Sequence, residues 1–484
     1  MPDAAPHSLA ALTARHGPHY RWKVLATIML GSIAAIMSST IVNVAVPDLM
    51  RQFTIGQERA QWVATAFMAA MALSMLPTPW LLQRFGYRHL YQGAIVLLMG
   101  GGLVGGLAPT YEVVLAMRAT EGLAAGMLQV VPAIIILRAF EPGTQGRAMG
   151  IFGLGVVLAP AVGPSIGGLL VEHFGWRSIF FVVLPFGALA LVLAQRILPV
   201  AAPGGAPPNA NPTRLDGVGL VLAAVGVIAL LNGLVRLHDA PLAPAFVLLG
   251  VGVSALAVFA WHEWRSAAPL LDLRLVRHRT FRMGAVVAFI YGMGLFGSTY
   301  LVPVFMQTAL QFPPSEAGAA LLPAGLVLAA TIPLAGRLAD RFAPHGLVAV
   351  GLALLALSFA LIGTVGTGTA LWVLMTWAVV GRIGLGFVLP SLSLGALRGL
   401  SADEISQGSS GISFARQLGG AVGISVVGIV LEWRLRVHAG AGGSPLAGFA
   451  ETFWMVAGLS LLATVAALRM RLPDAPGAGA TAGK

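Results

Sequence analysis

Glu121 and Arg118 are the side chains in this chain whose types and spacing most clearly offer chemistry. Of 18 Asp and Glu, Glu121 is the one that falls deep inside a long apolar run. A charge at the centre of a bilayer costs roughly 2.5–3.5 kcal/mol on insertion scales, so a carboxyl there faces a cavity or a partner. Arg118 precedes it by three residues, on the same helical face and within reach. Burial and a neighbouring guanidinium pull a carboxyl in opposite directions. A carboxyl so balanced can exchange a proton as water access changes, provided it opens toward a central vestibule. The bland alternative is a structural ion pair that orients its helix.

Three further sets of residues concern shape and binding. Gly153–Gly168 reads GLGVVLAPAVGPSIGG. Here Gly155, Gly163, Gly167 and Gly168 predict close approach of another backbone. Pro160 and Pro164 predict freed carbonyls and a bend, so the segment reads as a helix that rocks on its neighbour. Two short loops carry PWLLQRFGYRH (Pro79–His89) and GRLADRFAPH (Gly336–His345). Gln83, Arg84, Gly86 and Arg88 in the first, and Asp340 and Arg341 in the second, are candidates for clasping helix ends. A contact made in one state and broken in another biases the equilibrium between them. Asp340 can pair with a cation, whereas Gln83 can only hydrogen-bond. Finally, Ser38, Thr40, Asn43, Trp62, Gln129, Tyr291, Tyr300, Gln307, Trp377, Arg382 and Arg416 interrupt apolar runs and are candidate cavity residues. Each alone reads more readily as a helix–helix hydrogen bond or an interfacial anchor.

The chain has no Cys, and its 10 His show no metal-ligand spacing. HExxH, GxSxG and paired membrane carboxylates are missing, so an enzyme has no support. GxxxxGK[ST] is also missing, which argues against ATP as the energy source. No cofactor is expected; a proton gradient would supply the energy.

The elements that position these residues follow from composition. The chain has 484 residues, 57% apolar and 10% charged, with a mean hydropathy of +0.86. Soluble proteins carry about 25% charged residues, so most of this surface must face lipid. That excludes cytosolic enzymes and secreted domains. The pI near 11 does not signal nucleic-acid binding, because the 29 Lys and Arg lie in short loops rather than on one face. A bilayer core needs about 20 apolar residues per helix. Fourteen runs fit: Trp22–Val46, Gln61–Leu81, Leu90–Ala108, Val113–Leu137, Ala148–Leu170, Ser178–Leu198, Gly217–Val235, Ala245–Trp261, Met283–Met306, Ala317–Gly336, Gly346–Val365, Ala370–Leu394, Gly411–Leu431 and Phe449–Leu468. They are too long for barrel strands of about 10 residues. The first reads as a retained span rather than a signal peptide.

An even number of spans puts both termini on one side. That side carries 20 of the 29 Lys and Arg and the other carries 6, with Arg118, Arg382 and Arg416 inside runs. The positive-inside rule then makes both termini cytoplasmic. Gln83 and Asp340 correspond at a spacing of 257 residues, and RATEG (Arg118–Gly122) and RIGLG (Arg382–Gly386) at 264. The agreement predicts an all-α membrane protein of two parallel six-helix halves, 1–198 and 263–472, with two inserted helices in 217–262. A cytoplasmic linker is expected at 199–216 and a disordered tail at 473–484.

Together these motifs resemble the major facilitator superfamily, in particular its fourteen-helix drug:proton antiporters of the EmrB/QacA type, over Trp22–Arg471. SSTIVNVAVP (Ser38–Pro47) is similar to that group's D-x-T-I-V-N-V-A-x-P segment, PWLLQRFGYRH to its loop motif, RATEG to R-x-x-Q-G, and the Gly/Pro segment to its antiporter motif. HFGWRSIFFVVLPFG (His173–Gly187), PLLDLRL (Pro269–Leu275), Pro303 to Gln307 with AGAALLPAG (Ala317–Gly325), and ARQLGGAVG (Ala415–Gly423) resemble further stretches of this branch, in the same order. The resemblance implies alternating-access export of small, mostly apolar compounds across the inner membrane, driven by the inward proton gradient. A small-molecule substrate, the lipid bilayer and a periplasmic adaptor protein are the candidate partners, and a monomer is expected. A metabolite exporter or proton-coupled importer on the same fold is the rival reading, and a non-transporting receptor a more distant one.

Three departures matter. The helix 1 acid is Ser38, the loop Asp is Gln83 with Pro79 ahead of it, and the helix 4 Gln is Glu121. We expect Glu121 to stand in for the missing coupling acid. A cavity poor in acids would favour neutral or anionic cargo, helped by Arg118, Arg382 or Arg416.

Overall fold

Lipid offers the backbone no hydrogen-bond partner, so a long apolar segment is stable only as a helix, and each of the fourteen apolar runs lies in helical structure. The computed structural model describes residues 9–201, 203, 214–238, 242–401, 404–440, 442 and 444–470. Most of the expected linker and the whole expected tail lie outside these residues. The first half comprises α2 (Tyr20–Phe53), α3 (Gln57–Met75), α4 (Thr78–Gly106), α5 (Tyr111–Ala139), α6 (Gln145–Phe174), and α7 (Ser178–Phe181) continued by α8 (Val183–Ile197). A short α1 (Leu9–His16), which hydropathy did not reveal, precedes it and buries Leu12. Then come α9 (Gly217–Val235) and α10 (Ala243–Arg265). The second half comprises α11 (Arg279–Val304), α12 (Pro314–Arg341), α13 (Pro344–Ile362), α14 (Leu371–Leu397), α15 (Glu404–Gly440) and α16 (Pro445–Leu468).

Among the described residues, eleven helices are long and apolar enough to cross a membrane, or up to twelve if a bent pair is one span. That pair, Trp62–Met75 and Thr78–Gly106, bends by 81°. Within α4, Gly86 has φ 78° and ψ 172°, a backbone that side chains other than glycine adopt only under strain. The loop glycine of PWLLQRFGYRH therefore marks the turn from one span to the next.

The two halves repeat the same packing. In the first, α2 packs on α6 and α8, α3 on α5, and α4 on α5 and α8; in the second, α11 packs on α15 and α16, α12 on α14, and α13 on α14 and α16. α9 and α10 pair with each other, and α9 touches α3 and α15, one helix from each half. Asp216 caps α9 by accepting from the Gly219 N–H at 2.8 Å and is also bonded to His262 Nε2 at 2.8 Å.

α6 and α12 form the main seam between the halves. A Cβ built on Gly146 would strike the Gly336 carbonyl, and one on Gly336 would meet Gly150 Cα at 2.7 Å. Small residues at helical spacing allow such contact. This corrects the expectation for the later glycines of α6. Gly155 and Gly163 lie against side chains of α2 (Met29 and Thr40), Gly167 meets both the side chain and the carbonyl of Ile41, and Gly168 faces open space. Backbone-to-backbone approach instead occurs at Gly146, Gly150 and Gly336. The segment forms one continuous helix through the exposed Pro160; the Pro164 side chain lies outside what is described.

Candidate functional site

α5 carries Arg118 and Glu121 into the interior of the first half. Both side chains are 1% exposed. Arg118 Nη1 donates to Glu121 Oε2 at 2.6 Å, to Ser38 Oγ at 2.9 Å and to the Ser38 carbonyl at 3.1 Å. Its Nε donates to the Val63 carbonyl at 3.3 Å, and its guanidinium lies 4.3 Å from the centre of the Phe67 ring. Nη2 has no partner among the described residues. One guanidinium nitrogen thus joins Ser38, where the resembled branch has its helix 1 acid, to Glu121. Glycines of α4 close the other side: a Cβ on Gly101 would come within 2.7 Å of Glu121 Cγ, and one on Gly102 within 3.5 Å of its Oε1.

The pair is therefore sealed within the first half and does not line the central cavity, contrary to the expectation that Glu121 opens toward a vestibule. In this conformation it is an occluded ion pair that meets no vestibule, so the condition for proton exchange is not satisfied here and coupling through Glu121 requires a second conformation in which α2 and α5 part. Its depth is uneven. At 1.5 Å per residue, Glu121 lies about 15 Å along α5 from Tyr111 and about 27 Å from Ala139.

A cavity of about 50 Å³ lies between the halves. Gln129 and Phe152 face it from the first half, and Tyr291, Ser393, Ser413 and Arg416 from the second. Tyr291 and Arg416 line it together, whereas Arg382 lies near Tyr291 outside the lining. Of the predicted cavity residues the structure thus gathers Gln129, Tyr291, Arg416 and, alongside, Arg382. The rest stand elsewhere. Ser38 belongs to the buried pair. Thr40 donates to the carbonyl of Ile36 in its own helix, and Asn43 is exposed on α2. Trp62 and Trp377 are half-buried, and the Trp377 carbonyl accepts from Ser358 at 2.7 Å. Tyr300 is 41% exposed. Gln307 is exposed on the π-helical turn Phe305–Ala309, which follows Pro303, a residue that removes one helix donor.

The halves are clasped at the end that carries the Arg-rich loops. Asp340 accepts from the Gly146 N–H at 2.6 Å and the Arg147 N–H at 2.8 Å, so a carboxylate of the second half caps the N-terminus of α6. Ser410 donates to the Met75 carbonyl at 2.6 Å and Ser409 to the Val130 carbonyl at 3.3 Å. The two loops are unequal. Gln83, Arg84 and Arg341 are exposed, and Arg88 Nε donates within its own half to the Leu198 carbonyl at 2.5 Å. The serines of α15 take the place that symmetry offered to Gln83. Sequence reasoning missed them, although ISQGSSGIS is a dense run of small polar residues at the mouth of an apolar span. It also missed Glu263, 1% exposed near the end of α10, which accepts from the Leu271 N–H at 3.0 Å.

Asp340→Asn removes a charge-assisted cap, a loss of roughly 1.5–3 kcal/mol, or a shift of about tenfold or more toward separated helix ends. The chain has no Cys, so Ser393→Cys places one thiol in the cavity. An impermeant maleimide added from the Arg-rich face is expected to label it faster by about that factor when Asp340 is changed.

Comparison with known proteins agrees with this architecture. The profile described as "Major Facilitator Superfamily" matches residues 28–424. A "Multidrug resistance protein B homolog" of Mycobacterium tuberculosis is 32% identical over 418 residues, 84% of this chain and 75% of that protein. "Lincomycin resistance protein LmrB" of Listeria monocytogenes is 27% identical over 83% of this chain and 85% of its own length. Among solved structures, "the human organic anion transporter MFSD10 (TETRAN)" superposes with a TM-score of 0.69 at 19% identity, covering 92% of this chain and 99% of that one.

Proposed function

The chain belongs to the major facilitator superfamily, and we propose that it exports small amphipathic compounds across the inner membrane in exchange for protons, by alternating access. It is a multi-pass membrane transport protein rather than an enzyme. Relatives named for multidrug and lincomycin resistance support drug-like cargo and outward direction.

One observation carries the proton-coupled reading: Arg118 Nη1 bridges Ser38 and Glu121 at 2.9 Å and 2.6 Å. A buried pair is costly to break by removing one partner, roughly 3–5 kcal/mol, so the state of the carboxyl and the packing of α2 against α5 are tied together. With both termini cytoplasmic, the clasped end is the cytoplasmic one, and Glu121 lies nearer the outer face. A proton enters from outside when α2 and α5 loosen and protonates Glu121. Arg118 is then left on Ser38 and the carbonyls, and the Asp340 and serine clasps open toward the cytoplasm. Cargo binding there returns the proton inward and restores the pair. Fourteen spans, with α9 and α10 inserted beside α3 and α15, complete the assembly. It acts as a monomer, and a periplasmic adaptor protein is its candidate partner.

Everted membrane vesicles test this. Energised vesicles hold excess protons inside, so adding a cargo from a panel of drugs that are not weak bases is expected to dissipate the gradient while the drug accumulates, and to do neither in vesicles without the protein. Drug movement in the opposite sense would instead establish the importer reading. A gradient that never responds to a broad drug panel would remove proton coupling.

A further inference from the structure

We propose that the cavity between the halves holds the anionic head group, a carboxylate or sulfonate, of an amphipathic cargo, and that Arg382, Arg416 and the Tyr291 hydroxyl are its ligands. The inference rests on the exporter reading and names the chemical class of its cargo.

The argument begins with the internal repeat. Arg118 and Arg382 hold corresponding places in α5 and α14. Three residues after Arg118 stands Glu121, whose carboxylate neutralises it at 2.6 Å. Three residues after Arg382 stands Leu385, an apolar side chain 2% exposed. The second half thus keeps the cation, here half-buried, and lacks its counter-ion. α15 adds a second cation, Arg416, beside the same tyrosine. Neither guanidinium is bonded to a carboxylate among the described residues, and Tyr291 Oη has no hydrogen-bond partner among them.

Two half-buried guanidinium groups without counter-ions carry part of the cost of desolvation, and an anion placed between them relieves it. Guanidinium forks match planar or trigonal oxyanions through paired N–H bonds. Arg416 and Tyr291 line the cavity, Gln129 faces them from the first half, and no Asp or Glu is among the lining residues. The volume sets how much of the ligand enters. Drug-sized molecules need pockets of about 300–1,000 Å³, whereas about 50 Å³ accommodates a head group of a few atoms. The apolar body of the cargo then lies along Phe152 and Leu389, which flank the same cavity. Arg118 takes no part, because its charge is already met inside the first half.

The test is equilibrium binding to the purified full-length protein, read as fluorescence polarisation with xanthene dyes of one body shape. These are anionic fluorescein, cationic rhodamine 123 and the neutral methyl ether methyl ester of fluorescein, which keeps the fluorescent quinoid ring. Wild type is expected to bind fluorescein saturably and rhodamine 123 at least about tenfold more weakly. Arg416→Gln and Arg382→Gln should each weaken fluorescein by about tenfold and leave the neutral dye within about twofold. Arg416→Lys, which keeps the charge and the fold, should retain most of the fluorescein affinity. Equal affinity for anion and cation in wild type overturns the proposal, as does unchanged fluorescein binding in both glutamine variants. Detergent binding needs no proton gradient. Failed proton exchange with intact anion selectivity would therefore count against the exporter reading alone, and proton-driven export of neutral or cationic drugs without anion selectivity would count against this inference alone.

Discussion

Glu121→Gln is expected to reduce proton-driven export to the level of vesicles without the protein, while the variant still inserts and purifies. The amide keeps the size of the carboxyl and can accept from Arg118, so the cost to folding should fall below the roughly 3–5 kcal/mol of a bare buried charge. What disappears is the group able to carry a proton. The geometry supplies a sharper companion test. Ser38 Oγ and Glu121 Oε2 accept from the same guanidinium nitrogen, so an acid at position 38 would reach the same cation from α2. Ser38→Asp combined with Glu121→Gln rebuilds the arrangement that the resembled antiporters carry, an acid in helix 1 and Gln in helix 4. The double variant is expected to recover most of the lost export. A purely structural ion pair predicts a different pattern: Glu121→Gln alone would retain exchange, and the double variant would add nothing.

The second large effect is expected at the α6–α12 seam. Gly336→Leu places a branched side chain where even a Cβ would overlap the Gly146 carbonyl and approach Gly150 N at 2.9 Å. The obstructing atoms are backbone, so rotamer changes cannot relieve the clash, and the two helices must separate. Export is expected to fall to background, with the protein held open at the Arg-rich end. Maleimide labelling of Ser393→Cys from that face should then become as fast as for a freely accessible thiol. Gly146→Leu, on the facing helix, should give the same result. Matching behaviour from opposite halves would separate a blocked closure from a folding defect confined to one half. A Leu variant at either position that still exports at wild-type rate would refute the seam as a moving part.

Much of this architecture was legible because it is local. A run of about 20 apolar residues dictates a helix whatever surrounds it, and most predicted runs fall in one, although Gln61–Leu81 crosses the break between α3 and α4 and Ser178–Leu198 covers both α7 and α8. Arg118 and Glu121, three residues apart on one helix, meet as their spacing requires. The distant loop and helix 4 motifs predicted the repeated packing of α2–α8 and α11–α16. What escaped was long-range. Composition does not say which glycine faces which helix, so Gly155 and Gly163 were assigned the backbone approach that belongs to Gly146, Gly150 and Gly336. Ser38 looked like a lost acid, yet it remains a ligand of Arg118. Glu263 lay two residues past the last apolar residue of its run and was read as a loop residue, though α10 extends to include it. Asn43, Tyr300 and Gln307 share composition with true cavity residues and differ only in the direction they face. The vestibule expected beside Glu121 is closed by Gly101 and Gly102 of α4, whose register on α5 no single-sequence pattern encodes.

Proton release on cargo binding tests the central claim most directly. Purified protein in weakly buffered detergent, mixed with a cargo that is shown to bind and does not itself titrate near neutral pH, can be followed with a pH-indicator dye. Wild type is expected to release protons in proportion to cargo bound, Glu121→Gln to bind cargo and release none, and Ser38→Asp/Glu121→Gln to release them again. Release of the same size from Glu121→Gln as from wild type would contradict the account.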